Sequence, residues 1–136
     1  MEFRRIRSPQ ELIVNRDEIL ELFKKSIERT KTDIDPERMF LNHLKNLAYT
    51  DYLLFLFKEP KGFMSCKLFN NSTFKVLFVD YLYCPRGGFI LWGIIKNIAL
   101  VIGADEIWGN TTEKVYRIFR KVIGKAEKQF IVRLIP

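Results

Sequence analysis

The sequence predicts an α/β fold built on a mixed sheet, and three observations carry that expectation. The stretch from Phe74 to Trp108 reads as a strand, a glycine turn, an apolar helix, a glycine stop and a second strand, which is a βαβ unit. Just upstream, the apolar runs Tyr52 to Phe57, Phe63 to Phe69 and Phe74 to Tyr83 are separated only by short polar turns, as antiparallel neighbours are. Between the first strand and these runs lie two amphipathic helical patterns. Strand, helix and strand in one sheet cross over right-handed in nearly every case, so one parallel pair is expected.

Phe3 to Arg7 alternates apolar and basic residues, as a short edge strand with one wet face would, and Pro9 ends it. Asn15 then stands where a helix cap would, with Glu18 three residues on and Ile19, Leu20, Phe23 and Ile27 along one face. Asp35 followed by Pro36 signals a second helix start, since Asp accepts from free N–H groups and Pro lacks one. Met39, Phe40, Leu44 and Leu47 form its apolar stripe. His43 lies beside that stripe with no second ligand nearby, which predicts a packed or half-exposed helix residue.

Glu59-Pro60-Lys61-Gly62 and Asn70-Asn71-Ser72 read as the turns that join the next three strands. The helix from Phe89 to Ile102 follows, then the strand Glu106 to Trp108. Val115, Ile118, Phe119 and Val122 have the spacing of a helix face, Gly124 can end that helix, and Gln129 to Ile135 is the final strand. The order is β-α-α-β-β-β-α-β-α-β. With no repeat or linker, residues 1–136 are expected to form one domain.

Composition narrows the function classes. Apolar residues make up 48% and Phe occurs twelve times, which argues against disorder. The longest apolar run, Phe89 to Ile102, is too short to span a bilayer and contains Lys96 and Asn97, so no membrane partner is expected. Charge from Glu2 onward predicts no secretory leader. Cys66 and Cys84 lack the spacing of a metal knuckle, and His43 is the only histidine, so no metal site and a reducing, cytoplasmic setting are expected. A formal charge of +7 favours anionic partners, either nucleic acid or a phosphorylated cofactor. Lys114, Arg117, Lys121, Lys125 and Lys128, with Arg120 beside them, form a basic row that is either a solvated helix face or a phosphate-binding one.

Two glycines sit where the apolar helix would open. Gly87 and Gly88 allow backbone angles closed to other residues, and a helix start presents unpaired N–H groups, so Pro85 to Ile90 reads either as a simple turn or as a phosphate cradle. The long strand, the Arg-Gly turn, the helix ending in Ala99 to Gly103 and the next strand, set in this element order, resemble the GNAT acetyltransferase superfamily. The family's Arg/Gln-x-x-Gly-x-Gly/Ala motif is only partly matched. Counted from Arg86 its glycine positions fall on Phe89 and Leu91; counted back from Gly103, Gly88 takes the last glycine position and Tyr83 the arginine position.

The resemblance implies a three-layer α/β sandwich with a mixed sheet, acetyl-CoA as cofactor, and a small-molecule or peptide amine as acceptor. It implies that Arg86, Gly87, Gly88, Phe89 and Ile90 hold the pyrophosphate, that the backbone of Leu82, Tyr83 and Cys84 pairs with the pantetheine arm, and that Asn110 joins the cofactor side. Asp80 becomes the candidate base. It stands in an apolar strand, where an ionised carboxylate is costly unless paired, and the alternative is a carboxylate turned to solvent or to an arginine. Tyr116, a turn before the Arg120 that occupies the family's tyrosine position, is the candidate acid for the leaving thiolate. Trp108-Gly109-Asn110-Thr111 and the stretch from Tyr116 to Gly124 are also similar to small phage-encoded GNAT-like proteins. That similarity implies a non-catalytic alternative: a binding or assembly module with a protein partner, associated with the virion.

Overall fold

A computed structural model describes residues 3–70, 73–85 and 89–110, together with 117 and 120. Its elements are β1 (Phe3–Ile6), α1 (Pro9–Val14), α2 (Arg16–Thr30), α3 (Pro36–Tyr49), β2 (Tyr52–Phe57), β3 (Gly62–Asn70), β4 (Lys75–Tyr83), α4 (Phe89–Ile102) and β5 (Glu106–Gly109). The five strands form one mixed sheet in the order β1-β2-β3-β4-β5. The first three pairings are antiparallel and β4 runs parallel to β5, as the βαβ reading requires. The predicted final strand, Gln129 to Ile135, and most of the helix before it lie outside the described residues; Arg117 and Arg120 of that helix are helical and exposed.

Strand alternation divides the core in two. Leu54, Leu56 and Phe63 face α1 to α3 and pack with Leu12, Ile19, Phe23, Met39 and Phe40. Leu53, Phe55, Phe57, Met64, Cys66 and Leu77 face the other way, against Ile94, Ile95, Ile98 and Ala99 of α4. The result is a three-layer α/β sandwich. Gly103 ends α4 at φ +78°, and its N–H and that of Ala104 both bond to the Ala99 carbonyl.

One helix was missed by the sequence reading and one cap was misassigned. Pro9 does not merely end β1. It is the first residue of α1, where a missing N–H costs nothing, and the Ser8 hydroxyl accepts from the Glu11 N–H. Asn15 joins α1 to α2 and makes no side-chain cap. Its amide donates back to the Glu11 carbonyl at 2.7 Å, while Arg4 of β1 takes up the Asn15 side-chain oxygen at 3.2 Å and Glu18 at 3.3 Å. Asp35 caps α3 as expected, accepting from the Glu37 N–H at 3.1 Å.

Candidate functional site

The site begins with an irregularity between β3 and β4. Ser65 pairs with Tyr81, but the next residue, Cys66, pairs with Val79, so Asp80 is an extra residue on β4. Such a bulge bends the strand and breaks strict alternation. Leu77, Val79 and Leu82 face α4, whereas Tyr81 and Tyr83 face the other helical layer, and Asp80 joins Tyr81 on that side. Two consecutive side chains therefore enter the space beneath α2 and α3.

That space is a cleft of about 210 Å³ lined by Ser26, Ile27 and Thr30 of α2, Thr32 and Ile34 of the following loop, Met39 of α3, and Asp80, Tyr81 and Leu82. Asp80 is the one carboxylate in this lining. It is half-buried, and among the described residues its hydrogen-bond partner is a hydroxyl and not an arginine. Its Oδ2 accepts from the Tyr52 hydroxyl at 2.6 Å, a length typical of an O–H donor on a carboxylate. Burial first, and the bond to Asp80 second, push the Tyr52 phenol well above its usual range, so it stays protonated.

Behind Tyr52 lies a polar chain that the sequence did not reveal as one. Ser65 Oγ is 2.9 Å from His43 Nε2, and His43 Nδ1 is 2.8 Å from the Met39 carbonyl oxygen. His43 is packed, as expected, at 1% exposure, with Ser65 at 0% and Tyr52 at 3%. The rings of Phe23, Tyr52 and Tyr81 surround His43, and burial pushes its imidazole below the usual value. The available signals were slight: one histidine beside an apolar stripe, and one serine within the run Phe63-Met64-Ser65-Cys66 of β3.

A second feature opens beside the bulge. Among the described residues β4 and β5 pair from Val76 with Glu106 to Val79 with Gly109. Asp80 to Tyr83 continue as strand, and Tyr81 to Tyr83 pair with β3. Leu82, Tyr83, Cys84 and the exposed Asn110 all lie at the C-terminal ends of these two parallel strands. Phe89 and Ile90 begin α4 just beyond. Arg86, Gly87, Gly88 and Tyr116 lie outside the described residues. Arg29 of α2 reaches the same corner, donating to the Cys84 carbonyl with its guanidinium 5.9 Å from the centre of the Tyr83 ring.

The mixed five-stranded sheet, with α1 to α3 on one face and α4 on the other among the described residues, superposes on known structures. A probable acetyltransferase superposes with TM-score 0.69 at 16% identity, covering 100% of this chain and 97% of its own. The fold is that of the GNAT acetyltransferases. A predicted acetyltransferase from Clostridium acetobutylicum, solved with acetyl-CoA, shares the GNAT fold with this chain at TM-score 0.66 and 13% identity, over 98% of this chain and 95% of that one. An aminoglycoside acetyltransferase from an uncultured soil metagenomic sample, in complex with sisomicin, does so at 0.64 and 17%, over 99% and 95%. No protein-family model and no curated protein matches the sequence. Among the described residues no group of three or more His, Cys, Asp or Glu is arranged to hold a metal ion, and no helix is long and apolar enough to cross a membrane.

Proposed function

We propose that the protein is an N-acetyltransferase that transfers the acetyl group of acetyl-CoA to a small amine, with Asp80 as the base. The observation that carries this reading is the position of Asp80: a carboxylate on a bulge, lining a cleft, at the C-terminal end of the parallel strand pair. Acetyl-CoA supplies an activated thioester. The end of β4 at Leu82 and Tyr83 would offer main-chain groups to an extended amide arm, and the first turn of α4 at Phe89 and Ile90 would offer helix N–H groups to phosphates. Asn110 would close the β5 side. Asp80 would accept the proton that the acceptor nitrogen loses as it attacks.

The cleft also suggests the kind of acceptor. At about 210 Å³ it is smaller than the roughly 300–1,000 Å³ of sites for drug-sized ligands. Ile27, Ile34, Met39 and Leu82 make it largely apolar, with hydroxyls at Ser26, Thr30 and Thr32 and a single carboxylate. That lining suits a compact monoamine better than a polycation.

Thermal unfolding with acetyl-CoA and with free CoA tests the reading. A ligand specific to the folded state at a hundredfold excess over its Kd stabilises by about 2.7 kcal/mol, so the melting temperature should rise by several degrees. Asp80→Asn should keep that rise and lower turnover of primary amines by about 100-fold or more. Absence of a thermal shift would refute cofactor binding, and full turnover in Asp80→Asn would refute the base.

A further inference from the structure

α2 meets the cleft with one side chain that packing does not explain. The buried face of the helix carries Ile19, Leu20, Leu22 and Phe23, and its next buried position is Ser26. At 7% exposure Ser26 forms part of the cleft wall, and with only Cβ and Oγ in its side chain it brings a hydroxyl there. The neighbouring hydroxyls are engaged. Thr30 Oγ1 lies 3.1 Å from the Ser26 carbonyl oxygen and 3.3 Å from that of Ile27, and since a carbonyl only accepts, the Thr30 proton is committed. Thr32 then donates to the Thr30 oxygen at 3.2 Å. Thr30 bonds back four residues as helix hydroxyls commonly do, whereas the Ser26 hydroxyl has no hydrogen-bond partner among the described residues. Buried polar groups are seldom left so, and the side on which Ser26 is open is the cleft.

The charge of the lining selects what Ser26 can hold. Asp80 is its one carboxylate, and among the described residues no Lys, Arg or His lines the cleft. Arg29 of the same helix is turned instead to the Cys84 carbonyl and the Tyr83 ring. A carboxylate or phosphate brought to Ser26 would share the cleft with Asp80 and find no cation to offset it. A neutral oxygen accepts the Ser26 proton without that cost, and Ile27, Ile34, Met39 and Leu82 suit a short hydrocarbon stem. We propose that Ser26 is a specificity-determining residue that donates to the neutral oxygen of a short amine, as an amino alcohol carries, whose nitrogen lies at Asp80. The fate of that nitrogen rests on the acetyl-transfer reading, whereas the oxygen contact at Ser26 does not.

Two pairs of amines test the contact, because 3-amino-1-propanol differs from butylamine, and 2-aminoethanol from propylamine, only in a hydroxyl for a methyl. Each is titrated into the intact ¹⁵N-labelled protein, with and without CoA, and Kd is read from the amide shifts. Ala is a better helix former than Ser, so Ser26→Ala keeps α2 intact, which its thermal unfolding verifies. In the parent the alcohol of at least one pair should bind about tenfold more tightly than its alkyl partner, and in Ser26→Ala that ratio should fall below about twofold. Equal affinities at both lengths in the parent would overturn the proposal, as would binding of none of the four. A preference that survives in Ser26→Ala would assign the oxygen to another donor, such as the Tyr81 phenol on the opposite wall, and would equally overturn it. Tighter binding of β-alanine than of the alcohols would overturn the requirement for a neutral oxygen. With acetyl-CoA the same ratio should appear in kcat/KM. If the parent acetylates none of these amines yet binds them with the stated preference, the acetyl-transfer reading fails and the Ser26 contact stands; if it acetylates both members of each pair alike, the reading stands and the contact fails.

Discussion

Gly62 is the residue on which the geometry of the site end of β4 makes its sharpest demand. A Cβ added there would stand 2.2 Å from the Tyr83 carbonyl oxygen and 3.2 Å from both the Tyr83 carbonyl carbon and Phe57 Cδ2. The oxygen is main chain and cannot rotate away, so the end of β4 must move. Overpacking of this kind costs about 1–3 kcal/mol, and the upper end applies where backbone must shift. Against it, Gly→Ala reduces the freedom of the unfolded chain by about 0.4–1 kcal/mol, which leaves roughly 2 kcal/mol of net destabilisation. For a domain of this size that is about 5–10 °C in Tm. Gly93 within α4 is the control: a Cβ there meets nothing within 4 Å, and Ala should stabilise the helix by about 1 kcal/mol. Both variants are compared by thermal and urea unfolding. The displaced segment carries Tyr83 and the Cys84 carbonyl, so Gly62→Ala should also weaken any acetyl-CoA-dependent rise in Tm while Gly93→Ala keeps it. Equal stability of Gly62→Ala and the parent would refute the close approach and with it the fixed strand end.

Two further outcomes follow from buried groups and caps. The lowered pKa of His43, caused mainly by burial, means that below about pH 6.5 the unfolded chain binds a proton that the folded one refuses, so stability falls on acidification by up to about 1.4 kcal/mol per pH unit. Urea midpoints should drop between pH 6.5 and 5 in the parent and much less in His43→Gln, and a flat parent profile would contradict the buried neutral ring. Asp35→Ala removes the cap of α3 and should cost about 1 kcal/mol, read as a lower urea midpoint at constant m.

The order of elements was legible from residue pattern because each depends on local chemistry. Asp35-Pro36 signals a helix start, Gly103 stops one, and the apolar runs of β2 and β3, joined by a short polar turn, read as neighbouring strands before their register is known. The same logic failed at Asn15 and Glu18, whose side chains answer to Arg4 on a strand eleven and fourteen residues away. It failed again at Pro9, which suits the end of a strand and the start of a helix equally. Asp80 was picked out as a candidate base because the GNAT resemblance implies a carboxylate base on that strand, and a carboxylate in an apolar run is costly unless paired. What it would face was not legible, since that follows from the bulge, and the bulge exists only in the register of β4 against β3.

From the sequence alone came the α/β class and the parallel pair with its crossover helix, which rest on periodicity and turn chemistry, and, through the resemblance of the element order to GNAT proteins, the naming of Asp80. Only tertiary structure decided that Asp80 and Tyr81 share one face, and that His43 meets Ser65 and Tyr52 behind the carboxylate. Those residues are 13 and 9 positions apart along the chain, and no local pattern joins them. They come together because burying both faces of the sheet leaves one place for each, and because a polar group so placed must find a partner or be lost.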